Sequence, residues 1–167
     1  MLTLPRVAAV ALMLVSTTGT RGLAAQSTEE RAVRAAVEQL FSGMRTRDTA
    51  AVRAVFEPGA RLVGIRTPAS GSPRLQSISV DQWVAAIGRD TRGVWNERAF
   101  EPKVFVDGTM ATVWAAYDFR FDDKPTSCGT DSVQLLKIAD AWKIVSIADT
   151  YRTTGCPDRG SVNDKKQ

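Results

Sequence analysis

Val33, Ala36, Val37, Leu40, Phe41 and Met44 fall at i, i+3, i+4, i+7, i+8 and i+11. That spacing predicts one apolar stripe along a long helix. Ser27-Thr28-Glu29-Glu30 stands before it with capping-box spacing, Ser27 as N-cap and Glu30 reaching back. Asp48 caps a short second helix that buries Val52, Val55 and Phe56 and ends at Glu57-Pro58-Gly59. The pattern then changes. Residues 60–66 read as a strand, 67–73 as a Pro/Gly/Ser loop and 74–78 as a short returning strand. Ser79-Val80-Asp81-Gln82 is a second capping box, opening a helix that carries Trp83, Ala86 and Ile87 and stops near 88–90.

From there the chain alternates with period two. Residues 94–106 form a long strand, Asp107-Gly108 a two-residue hairpin turn, and 109–122 the return. After a loop at 123–127, Cys128-Gly129-Thr130-Asp131 opens a last hairpin. It turns at Ala139-Asp140-Ala141, returns through Trp142-Lys143-Ile144-Val145 and Asp149-Thr150, and ends at Gly155-Cys156-Pro157. The order is helix, helix, strand, strand, helix and four long antiparallel strands. Helices segregated from most of the sheet predict an α+β fold rather than a βαβ one.

The ends and the composition narrow the chemistry. Arg6, an apolar run over 7–15 and a small-residue site at Gly22-Leu23-Ala24 or Leu23-Ala24-Ala25 follow the signal-peptide pattern, so 1–25 is read as a cleaved targeting segment. The run is too short for a lasting transmembrane helix. The chain is therefore expected to be exported, periplasmic or secreted, with no membrane attachment after cleavage. One domain is expected over 26–157 and a polar, disordered tail over 158–167. Losing Arg6 and Arg21 lowers the net charge from +4 to about +2. That balance, with no basic stripe carrying interleaved aromatics, argues against nucleic acid. The sequence contains no histidine. This removes Ser-His-Asp and Cys-His catalysis and His-ligated zinc, and no metal or organic cofactor is implied. The two cysteines both lie in the exported part, where Cys128 and Cys156 are a candidate disulfide; free buried thiols are the alternative.

The element order resembles the nuclear transport factor 2-like superfamily. Its markers here are Phe41, Arg47-Asp48, Asp107-Gly108 with Ala111, Cys128-Gly129, Trp142-Lys143-Ile144-Val145, Asp149-Thr150 and Gly155-Cys156-Pro157. Within that superfamily the chain looks like the SnoaL-like and putative lumazine-binding-like proteins. The resemblance covers roughly residues 28–157. It implies a curved, mostly antiparallel sheet wrapped around three N-terminal helices, a cone-shaped, cystatin-like roll with a cavity. It says little about function, because the superfamily hosts isomerases, cyclases, hydrolases, binding domains and dimerisation domains.

Strand alternation then indicates what lines that cavity. Ala111, Val113, Ala115, Tyr117, Phe119 and Phe121 share one apolar face, taken as the concave one. Pairing across Asp107-Gly108 without a bulge adds Val104, Phe100, Arg98, Asn96 and Val94 to it, with Arg98 opposite Tyr117 and Asn96 opposite Phe119. Arg98, Asn96 and Tyr117 are thus candidate ligand contacts. The opposite face carries Trp95, Glu97, Glu101, Trp114, Asp118 and Arg120. Trp95 there lies against Arg120, and Glu97 beside Asp118. Trp95, Trp114 and Arg120 mark a candidate homodimer surface. Pairing Ile138 with Trp142 sets Asp131 opposite Asp149, a carboxylate pair suited to proton transfer, and Cys128 opposite Arg152. Three functions fit these expectations. The chain binds a small, partly apolar ligand; or it is a cofactor-free isomerase, dehydratase or cyclase using Asp131 or Asp149; or it is a non-catalytic dimerisation and interaction domain.

Overall fold

The structure, a computed structural model, describes residues 19–68, 70–91 and 93–160, with side chains described from Thr28 onward. Most of the expected targeting segment, and the tail from 161, lie outside the described residues. The first helix, α1, spans Gly19–Thr46. It runs back through Ser27 rather than starting there. Leu23-Ala24-Ala25-Gln26 are strong helix formers, and no Gly or Pro interrupts them before Ser27. Its stripe is as expected: Val33, Ala36, Val37, Leu40, Phe41 and Met44 are all buried. A second helix, α2 (Thr49–Ala54), is capped by Asp48, whose carboxylate accepts from the Ala51 N–H at 2.9 Å. The third, α3 (Val80–Arg89), has both halves of its Ser79/Gln82 capping box.

The strands are β1 (Phe56–Arg66), β2 (Arg74–Ser79), β3 (Trp95–Asp107), β4 (Met110–Phe121), β5 (Lys124–Ile138) and β6 (Ala141–Tyr151). They form one six-stranded sheet in the order β2-β1-β6-β5-β4-β3. Every pairing is antiparallel except β1 with β6. The architecture is α+β, with a mixed, mostly antiparallel sheet. The α1 stripe packs on Ala111, Val113, Val133, Leu135 and Ile144, so one face of the sheet and one face of the helix make a single core.

Two irregularities decide which side chains face that core. The β3–β4 turn is Gly108-Thr109, closed by Asp107 opposite Met110, and not Asp107-Gly108. Gly108 takes a φ of +57°, which a first turn position without a Cβ adopts freely. This two-residue displacement keeps Val104 on the concave side, opposite Val113. Further along, Phe100 pairs with Ala116 but Lys103 with Trp114, so Glu101 and Pro102 together oppose Ala115. Glu101 has a φ of +48° and Pro102 has no N–H to give the ladder, the makings of a β-bulge on this edge strand. The extra residue turns the first half of β3 over. Arg98 therefore lies opposite Asp118 and Asn96 opposite Arg120, both on the outer face, while Trp95, Glu97 and Ala99 turn inward.

The last hairpin also contains a bulge, and here two departures offset each other. Ile138 pairs with Ala141 around Ala139-Asp140, both at positive φ, one residue tighter than expected. A register shift between Gln134 and Leu135 restores the pairing of Asp131 with Asp149. Cys128 bridges Arg152, and a turn through Gly155 (φ +66°) brings Cys156 back to form the Cys128–Cys156 disulfide, with Cα atoms 5.7 Å apart. Of the expected tail, residues 158–160 lie along the outer face. The Gly160 carbonyl accepts from Arg98 at 3.0 Å and from Arg120 at 2.7 Å, and Arg159 stacks on the Phe100 ring.

Candidate functional site: an acid pair in an aromatic cavity

Between the helices and the concave sheet lies a cavity of about 460 Å³. Phe41 and Met44 come to it from α1, Trp83 from α3, Trp95 from β3, and Phe119 and Phe121 from β4. Trp95 meets Phe119 edge-on, with ring centroids 5.6 Å apart, and its indole N–H donates to Asp90 at 3.1 Å. The expected stacking of Trp95 on Arg120 is absent, because the β3 bulge put the two on opposite faces.

The polar part of the cavity is built by four neighbouring strands. Glu97 from β3, Asp131 from β5 and Asp149 from β6 line it, with the Tyr117 hydroxyl from β4. Asp131 is buried, and Glu97 and Asp131 share a side-chain hydrogen bond. Burial lifts the Glu97 carboxyl well above the usual range, and the negative charges of Asp131, Asp149 and Asp118 lift it further. Burial also pushes Asp131 up, to about 7; the hydrogen bond from Glu97 works against this and the Asp149 charge adds to it. Glu97 therefore keeps its proton and donates to Asp131, which titrates near neutrality. Asp149 is raised by burial as well, opposed by Arg66, which it meets at 3.1 Å. The Tyr117 hydroxyl donates to the Thr150 carbonyl at 2.9 Å and lies 3.3 Å from the Asp149 carboxylate. Burial and the surrounding carboxylates raise its pKa, so it remains a neutral donor.

Glycines make room for this arrangement. At Gly64 on β1 a Cβ would lie 2.8 Å from the Asp149 Oδ1. At Gly129 on β5 it would lie 1.7 Å from the Thr150 carbonyl oxygen, the acceptor of the Tyr117 bond. Asp131 also lines a second cavity of about 230 Å³ between α1 and the β3 bulge, with Arg34, Glu38, Phe41, Ala99 and Val133. The Arg34 guanidinium donates to the Pro102 carbonyl there at 2.8 Å. Among the described residues no acidic or thiol cluster has the geometry to hold a metal ion.

Of the sequence candidates, Asp131, Asp149 and Tyr117 meet at the cavity. Arg98 and Asn96 do not, since the bulge turned them outward. Arg98 instead makes a two-pronged ion pair with Asp118, at 2.8 Å through Nε, and Arg120 stands 3.7 Å from the same carboxylate. Arg120 is buried beneath residues 158–160 and Trp95 faces inward, so of the three expected dimer residues only Trp114 is exposed on the outer face. Sequence reasoning missed Glu97, Trp95 and Arg66. Pro102 inside an otherwise regular strand was the signal that could have found the first two, since a proline there marks an edge or a bulge.

No curated protein matches the chain. Solved structures do. A chain from Silicibacter pomeroyi, an NTF2-like protein of unknown function, aligns at 22% identity and TM-score 0.59, covering 76% of this chain and 98% of that one. A second NTF2-like protein of unknown function, from Shewanella baltica, aligns at 19% identity and TM-score 0.57 (75% and 95% covered). A protein described as a putative dehydratase of the NTF2-like family, from Streptomyces avermitilis, aligns at 12% identity and TM-score 0.57 (75% and 96% covered). At these identities the likeness is one of fold, which is NTF2-like. The family model described as "Putative lumazine-binding" matches residues 28–148, and the chain belongs to that family.

Proposed function

We propose that this chain takes up a small, partly apolar molecule in the aromatic cavity and exchanges a proton with it through the Glu97–Asp131 pair. The observation that carries this reading is the pair itself. A half-buried carboxyl from β3, Glu97, and a buried one from β5, Asp131, are hydrogen-bonded to each other at the wall of an accessible cavity, in a setting that raises the pKa of both. Such a pair offers an acid and a base at the same pH. The chemistry it suits is cofactor-free isomerisation, dehydration or cyclisation, with Tyr117 as a fixed neutral donor nearby. The neighbour described as a putative dehydratase shares the fold and is compatible with this.

Proton transfer leaves an isotopic trace. Incubating the protein with a host small-molecule extract in D2O and comparing masses should reveal at least one compound that gains deuterium with the wild type and not with Asp131→Asn. Identical spectra for the two proteins would remove the catalytic part of the reading, and a ligand retained in native mass spectrometry would then leave a binding protein.

A second reading concerns the outer face. Phe105, Met110, Trp114 and Leu136 are exposed and adjacent on β3, β4 and β5. We propose that this patch, rather than Trp95 and Arg120, is the self-association surface of a homodimer. Sedimentation of Trp114→Glu should shift the mass toward a monomer; a wild type already monomeric at high concentration ends that reading. The disulfide fits the proposed export to the periplasm or medium. Mass spectrometry of secreted material should find a chain starting near residue 26.

A further inference from the structure

The cavity's charge is as informative as its shape. Four carboxyls, Asp90, Glu97, Asp131 and Asp149, line it, against one described cation in its lining, Arg66. That cation is already engaged: it pairs with Asp149, donates to Gln76 at 3.2 Å, and lies 4.1 Å from the centroid of the Tyr151 ring. Much of the remaining wall is aromatic, from Phe41, Trp83, Trp95, Phe119 and Phe121, beside aliphatic side chains. An anionic ligand would meet carboxylates and ring faces, both repulsive to it. A cation would meet both favourably.

Building on the proposed function, the geometry points to a flat, apolar ligand that carries a cationic nitrogen, seated among the aromatic walls with its charge directed at Glu97 and Asp131. Binding a fixed positive charge favours the ionised form of Asp131, so around neutral pH a proton leaves as the ligand enters. Other groups around the pair set the background for this exchange. They are Arg66 on β1, Tyr117 and Asp118 on β4, and Asp149 and Tyr151 on β6, with Asp90 after α3 and Arg34 and Glu38 of α1 across the second cavity. None of them supplies a free cation directed at Asp131.

Three probes of one shape and different charge test this: 2-naphthamidine, 2-naphthamide and 2-naphthoate, followed by the fluorescence of the cavity tryptophans Trp83 and Trp95. None of the three changes charge between about pH 6 and about pH 8. The amidine should bind at least about tenfold more tightly than the amide near pH 8, and the naphthoate most weakly. The amidine's advantage should shrink toward pH 6, as Asp131 takes up its proton, and in Asp131→Asn near pH 8. Calorimetry in buffers of different ionisation enthalpy should register proton release with the amidine alone. Amide binding as tight as amidine, or a preference independent of pH, overturns the inference and leaves the cavity reading standing. Binding of none of the three up to millimolar concentration overturns both. The wild-type pH series decides the matter even if Asp131→Asn fails to fold.

Discussion

Replacing Asp131 by Asn should make this protein more stable near pH 8 and leave it almost unchanged near pH 4. Burial pushes the folded Asp131 up to about 7, whereas an unfolded aspartate titrates near its ordinary value of 3.8. A raised folded pKa means that the native state holds the proton more tightly. The stabilisation is fully present below the unfolded pKa and is lost as pH climbs through the folded one. Across that window the unfolded chain releases a proton that the native chain keeps, so stability falls by about 1.4 kcal/mol per pH unit from this group. Over some three units the loss approaches about 4 kcal/mol. Asn keeps the shape and can accept from the protonated Glu97, but it has no charge to bury. Urea unfolding of wild type and Asp131→Asn, at pH steps between about 4 and about 8, reads the difference directly. The two stability curves should diverge through the window, the wild type falling by one proton's slope more. Curves that stay parallel would refute the assignment of a buried, late-titrating carboxyl at this position. The expected gain at neutral pH is itself informative, because a group that costs stability where it stands is retained for another reason.

Two further outcomes follow from the geometry. Arg98→Ala should cost about 3 kcal/mol by stranding the buried Asp118 carboxylate, with Arg120 only 3.7 Å away as partial compensation. Probe binding in the cavity should stay unchanged, and weakened binding in a still-folded Arg98→Ala would contradict its outward placement. Cys128→Ser opens a link of sequence separation 28 and should lower stability under oxidising conditions by about 3–4 kcal/mol. Adding reductant to the wild type should bring its melting temperature toward the variant's; no change in either speaks against the bridge.

The sequence by itself determined the element order, the buried stripe of α1, the caps at Asp48 and Ser79, and the concave set from Ala111 to Phe121. These follow from local rules: 3.6- and 2-residue periods and short-range capping bonds act within a few residues and leave their mark in composition. It also placed Asp131 opposite Asp149, although through a turn and a bulge that happen to cancel; that both reach Tyr117 came from the structure. What only the tertiary structure decided was the face of β3. A single extra residue at Glu101-Pro102 exchanges inside for outside, and its position depends on how the edge strand bends round α1, where Arg34 holds the Pro102 carbonyl. That bulge removed Arg98 and Asn96 from the cavity and supplied Glu97 and Trp95. The acid pair is therefore a product of register. Glu97 lies 34 positions before Asp131, on a strand that pairs with β4 and not with β5. No pattern along the chain brings those two carboxyls together. Only the curl of the sheet across β4 does, and the low-dielectric setting that retunes them exists only once α1 has closed over it.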